Sequence, residues 1–128
     1  KMSNVIALKR AAGIDKFKTS TIAEAEMTAA AGGKDVLLAY QPVGPNVQRF
    51  IELVKAFPET RFSALVDNCE SVRLIAAAAV DAGVVAELYV DLNVGMNRTG
   101  IAPDENAMAV YRLIATTPGV RPRGLHAY

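Results

Sequence analysis

Val90-Asp91-Leu92-Asn93-Val94-Gly95-Met96-Asn97-Arg98-Thr99-Gly100 runs from an apolar strand into a glycine-flanked loop that carries one arginine. A side-chain period of two puts Leu88, Val90 and Leu92 on one face of that strand and Tyr89, Asp91 and Asn93 on the other. One face suits packing against helices, while the other turns polar towards the strand tip. Ordinary core packing does not need a Gly-Met-Asn-Arg-Thr-Gly loop, and strand tips are where α/β proteins hold ligands. The loop is not a phosphate-binding P-loop, because it lacks that motif's lysine and spacing.

The same alternation returns near the end of the chain, where Leu125 and Ala127 interleave with His126 and Tyr128. Between and before these strands, helical and extended patterns take turns. Helices are expected over residues 3–12, 22–31, 46–57, 70–82 and 104–116. The third carries Val47, Phe50, Ile51, Val54 and Phe57 as one apolar stripe of helical period. Thr21 and Glu24 have the spacing of a capping box, and Gly13, Gly83 and Gly119 stand where helices should stop. Strands are expected over 16–19, 36–40, 61–67, 86–93 and 121–128. Val36-Leu37-Leu38-Ala39 is continuously apolar, as in a parallel strand covered on both faces.

Alternating units of this kind imply a parallel α/β sheet with right-handed crossovers. Two architectures remain, a (β/α)8 barrel of TIM type and an open flavodoxin-like sheet. Polar side chains along one face of a strand favour the barrel, because an open sheet covers both faces with helices. Five units are too few to close the usual barrel, so the fold is either open or a partial barrel.

Composition narrows the function classes. The 128 residues suit one domain, 1–128, with no internal shift in composition. Fourteen Lys+Arg against thirteen Asp+Glu give a net charge of +1, with no basic patch for nucleic acid. The apolar run at Ala76-Ala77-Ala78-Ala79-Val80 is too short to span a bilayer. Lys1-Met2-Ser3 leads straight into an amphipathic segment with no signal-peptide pattern, and the single Cys69 excludes an internal disulfide framework. A cytoplasmic protein with a small-molecule ligand is the expectation, with no nucleic acid and no membrane as partner.

Read in order, Lys1-Met2-Ser3, Lys16-Phe17-Lys18-Thr19, Ala23-Glu24-Ala25-Glu26, Asp35-Val36-Leu37-Leu38-Ala39-Tyr40, the 91–100 segment and Gly124-Leu125-His126-Ala127-Tyr128 form one pattern. That pattern resembles the amino-terminal barrel of D-threonine aldolases and D-serine dehydratases. These are alanine-racemase-like, pyridoxal-phosphate enzymes of fold type III, and the resemblance covers essentially the whole chain. It implies a partial (β/α)8 barrel, barrel strands two to six, taken from a longer lyase. That enzyme would act on D-3-hydroxy amino acids, by retro-aldol cleavage of the D-threonine type or dehydration of the D-serine type. It implies pyridoxal 5'-phosphate as cofactor and a divalent metal held by a C-terminal domain outside these residues.

Site residues follow from the resemblance position by position. Arg98 matches the arginine that reaches the cofactor's phenolic oxygen, a task suited to a permanently charged, forked donor. Tyr128 matches the ring placed against the pyridine face. Asp91 stands where alanine racemases have a modified lysine that orients the arginine, and is expected to orient Arg98 directly. Asn93, on the same face, is expected to support the site from behind. His126 shares the inward face with Tyr128. Gln41 either faces the cofactor cavity or ends its strand. The family's Schiff-base lysine lies three residues before the position of Lys1, so these residues alone are expected to have no turnover, to supply no catalytic group and to hold no metal.

Blander readings accompany each residue. Arg98 would otherwise be a solvated loop arginine, Tyr128 a frayed end and His126 a packed core histidine. Asp67 and Asn68 end a strand where they could line the mouth of the cavity, yet helix capping by Asn68 explains them equally well. Cys69 begins a helix, which favours a thiolate, yet also suits a buried, inert thiol. A non-catalytic pyridoxal-phosphate protein on the same barrel is the alternative function, and an unrelated open α/β binding module is a third. Two exposed sheet edges and an open barrel face also make a homodimer an expectation.

Overall fold

A computed structural model describes residues 2–128 as helix and strand in strict alternation. The order is α1 (Ser3–Ala11), β1 (Lys16–Thr19), α2 (Ile22–Ala30), β2 (Asp35–Leu38), α3 (Pro45–Ala56), β3 (Arg61–Val66), α4 (Cys69–Ala82), β4 (Ala86–Leu92), α5 (Glu105–Thr116) and β5 (Val120–Ala127). Every expected element is present, displaced by at most two residues at any end. Lys1, which set the register for the cofactor-bonding stretch, lies outside the described residues. No helix among the described residues is long and apolar enough to cross a membrane.

All five strands form one parallel sheet in the order β1-β2-β3-β4-β5. That sequential order separates the two architectures left open above. A doubly wound sheet reverses direction at a switch point, whereas barrel strands step always the same way around. The chain is a partial barrel with β1 and β5 at its two edges.

Local chemistry sets the helix ends. Thr21 Oγ1 accepts from Glu24 N at 3.1 Å, and the Glu24 carboxylate accepts from Ser20 N at 2.8 Å, closing the expected capping box one residue early on the return side. Asn68 caps α4 by accepting from Ser71 N at 2.8 Å, and Gly83 ends it in the left-handed region. Gly119 does not end α5. The helix stops at Thr116, Thr117 is extended, and Gly119 instead turns the chain into β5. A Cβ on Gly119 would sit 2.6 Å from the Ala76 carbonyl oxygen, so it also marks a close approach to α4.

The core lies between the sheet and its helices. Val36, Leu38, Phe62, Ala64, Val66, Leu88 and Val90 meet Phe50, Ile51, Val72, Ile75, Val110 and Ile114 there. Leu37 and Ala39, expected to be covered like their neighbours, are only half-buried. They face the barrel interior, where no helix packs. Cys69 is half-buried against the core.

The lower end of the inner face is filled by charge. The Glu87 side chain is 5% exposed and receives Arg61 Nε at 2.7 Å as well as Arg121. Arg123 bonds Asp35 at 2.7 Å and also sits 3.3 Å from Glu87, off hydrogen-bond geometry. Burial pushes the Glu87 carboxyl upward, but the hydrogen bonds and charges of Arg61 and Arg121 outweigh it and hold the group below its usual range. Arg61 is raised in turn, chiefly by its bond to Glu87.

Arg123 also resets the register of β5. Leu88 pairs with Pro122 and Tyr89 with Gly124, so Arg123 is the extra residue of a bulge. In an unbroken ladder Asp91 would face Leu125. With the bulge it faces His126.

Candidate functional site

The upper, C-terminal end of the inner face carries a cavity of about 280 Å³. Its lining includes Lys18 from β1, Asp91 from β4, His126 from β5, and Arg98 and Thr99 from the loop after β4. Asp91 is the hub. Its carboxylate is 4% exposed, with Oδ1 at 2.6 Å from His126 Nδ1. Oδ2 accepts from Gln41 Nε2 and Thr99 Oγ1, both at 2.9 Å. Gln41 also donates to Asp67 Oδ2 at 3.1 Å, and Asp67 in turn accepts from Gly100 N at 3.2 Å. Four strand tips and the loop are thus tied to two carboxylates.

His126 links this hub to a cation. Its Nε2 lies 2.9 Å from Lys18 Nζ. A lysine ammonium has only donors, so Nε2 accepts, and the ring proton belongs on Nδ1, pointing at Asp91. The Tyr128 ring is parallel to that of His126, with an interplanar angle of 3° and centroids 6.4 Å apart. Lys18 Nζ stands 4.9 Å from the Tyr128 centroid and Arg98 Cζ 5.8 Å from it, so both cations are within reach of the same ring.

The loop holds its shape through its own side chains. Asn93 Oδ1 accepts from Gly95 N at 3.2 Å and Asn97 N at 3.1 Å, and Asn93 Nδ2 donates to Asn97 Oδ1 at 3.0 Å. Asn97 is thereby held at φ +53°, where asparagine is the best-tolerated side chain. Ile101 then returns beside Leu92 as a parallel bridge, with Ile101 N donating to Asp91 O at 2.9 Å.

These positions refine the expectations. Gln41 joins the site rather than merely ending β2. Arg98, Tyr128 and His126 are together at the cavity. Asp91 does not orient Arg98: both its oxygens are engaged by His126, Gln41 and Thr99, and Arg98 turns over Tyr128 instead. Asn93 supports the loop, not Asp91. Asn68, beyond its cap, donates to Asp67 at 3.0 Å. The sequence reading missed Lys18 and Thr99 as members of the network, whereas Asp67, one of the two residues expected at the mouth, joins it. Parity exposed Lys18, since Phe17 and Thr19 face the helices and Lys16 and Lys18 must face inward.

The whole chain, residues 1–128, matches the family model for the N-terminal domain of alanine racemase. A D-threonine aldolase of Arthrobacter sp. is 30% identical over 124 residues, covering 96% of this chain and 32% of that protein. A 3-hydroxy-D-aspartate aldolase of Paracoccus denitrificans is 27% identical over 108 residues, covering 84% of this chain and 27% of the relative. The crystal structure of D-threonine aldolase from Filomicrobium marinum superposes with a TM-score of 0.87 at 26% identity, over 96% of this chain and 33% of that one. The chain spans about a third or less of the length of each of these proteins.

Proposed function

The chain belongs to the alanine racemase N-terminal domain family, and on that premise we propose that it forms one wall of the cofactor site in a pyridoxal-phosphate lyase acting on D-3-hydroxy amino acids. The observation that carries this reading is the Arg98 guanidinium over the Tyr128 ring at the strand tips. Arg98 is paired with no carboxylate among the described residues. A flat, anionic ligand fits such a place. Names of relatives for D-threonine and 3-hydroxy-D-aspartate support the substrate class.

Bound pyridoxal phosphate supplies an electron sink for bond cleavage next to the amino group. The residues of this chain hold and orient. Arg98 would offer its fork to the cofactor's phenolate oxygen, and Tyr128 would hold its ring. Asp91 fixes His126 through Nδ1, and Nε2 accepts from Lys18 Nζ beside the cavity. Gln41 and Thr99 keep Asp91 from rotating, so the carboxylate serves as a fixed support. Donors for a divalent metal are not clustered among the described residues, and none of these roles uses one. Residues 1–128 alone are proposed to lack turnover, the cofactor-bonding lysine standing ahead of Lys1 in the family register.

The test is to add pyridoxal phosphate to the full-length protein and assay D-3-hydroxy amino acids. Glycine plus an aldehyde marks the aldolase, and an oxo acid plus ammonia marks the dehydratase. Cofactor uptake with neither product would support the non-catalytic alternative, and no uptake would overturn the reading.

A further inference from the structure

Lys18 has no task in the cofactor contacts just described, yet it is held in place. Its side chain leaves β1 on the inner face and is fixed by His126 Nε2 at 2.9 Å and by the Tyr128 ring at 4.9 Å. One ammonium proton is committed to His126, which leaves two donors for the cavity. The nearest carboxylate of the cavity cannot absorb that charge. Asp91 is 4% exposed, and both its oxygens are already engaged by His126, Gln41 and Thr99. With Arg98 given to the cofactor's phenolate, Lys18 is a positioned cation without a counter-ion among the described residues.

A cavity meant for a methyl-bearing side chain gains nothing from such a charge, which loses hydration when a ligand closes over it. A carboxylate turns the same cost into a charge-assisted hydrogen bond. We propose that Lys18 is a specificity-determining residue that binds a carboxylate on the substrate's side chain. The favoured substrate is then a D-3-hydroxy amino dicarboxylate rather than D-threonine or D-serine. Asp91 and His126 act behind it, since the line Asp91–His126–Lys18 fixes where the ammonium stands. This inference rests on the reading of the cavity as a pyridoxal-phosphate amino-acid site.

The experiment compares the full-length protein, loaded with pyridoxal phosphate, with its Lys18→Met variant on 3-hydroxy-D-aspartate and D-threonine. For the dicarboxylate, kcat/KM falls about 10- to 100-fold, the worth of one hydrogen bond to a charged group, with most of the change in KM. D-Threonine changes by less than about threefold, as for loss of a group that it does not touch. Equal losses on both substrates would overturn the proposal, because they would place Lys18 at the α-carboxylate or merely in support of His126. A second readout needs no turnover. D-Aspartate, which lacks the 3-hydroxyl, binds the wild type more tightly than D-alanine by calorimetry, and Lys18→Met removes that preference. An unchanged preference would also overturn it. Failure to take up the cofactor, read from absorbance beforehand, would instead defeat the reading of the site.

Discussion

Asp91 and His126 stand directly opposite each other on neighbouring parallel strands, with carboxylate and imidazole 2.6 Å apart. Their pairing joins β4 to β5 at the strand tips, and Gln41 and Thr99 complete the carboxylate's contacts from two further segments. A buried carboxylate with so many partners is a cooperative unit. Asp91→Asn is expected to lower stability by about 1–3 kcal/mol in urea unfolding, since donors around it lose a charged acceptor. A double-mutant cycle with His126→Gln should give a coupling of about 1 kcal/mol or more. Additive effects would show that the two side chains are neighbours without being partners.

The β5 bulge is what makes that pairing possible. Inserting one alanine between Gly124 and Leu125 moves Leu125 opposite Asp91 and turns His126 outward. Cofactor uptake by the full-length protein, followed by absorbance, should be lost on this insertion. Arg123→Ala keeps the residue count and should retain it. Equal behaviour of the two variants would mean that the register does not matter to the site.

Gly100 closes the loop at φ +94°. A Cβ there would fall 2.7 Å from Asn93 N and 2.8 Å from Leu92 C, both backbone atoms that cannot swing aside. Gly100→Ala is expected to destabilise the protein by more than about 1 kcal/mol, from strain and left-handed backbone together. Gly95→Ala meets nothing within 4 Å and has only the positive φ to bear. Thermal unfolding should therefore rank Gly100→Ala as the worse of the two.

At the other end of the barrel, Glu87 titrates below its ordinary value of 4.5 when folded. A group depressed in this way stabilises the fold above its unfolded pKa, and that contribution is lost as pH falls through the folded value. Acid titration of the wild type should show stability declining below pH 4.5. Glu87→Gln should be less stable at neutral pH by about 1–3 kcal/mol, with a flatter acid limb. Parallel acid limbs would remove Glu87 from the account.

The strand and helix boundaries were legible because helical and two-residue periods alternate cleanly along the chain. The apolar stripe from Val47 to Phe57 and the caps at Thr21 and Asn68 are local signals, and local signals survive folding. Arg98, Tyr128, His126 and Gln41 were found as a set, but their mutual contacts were not. The role given to Asp91 was misread because its partners come from β2, β5 and the loop, and no spacing within one segment reports on them. The bulge left a trace in Pro122 and Gly124 flanking Arg123, since both are unusual inside a strand. Lys18 was hidden by its company: beside Lys16 it looks like a solvated charge until the parity of β1 is fixed.

The most direct measurement is the structure of the full-length protein with pyridoxal phosphate bound. The account predicts the Arg98 guanidinium within about 3 Å of the phenolate oxygen, with the Tyr128 ring against the pyridine face. A cofactor bound elsewhere, or at this cavity with Arg98 turned into solvent, would contradict it.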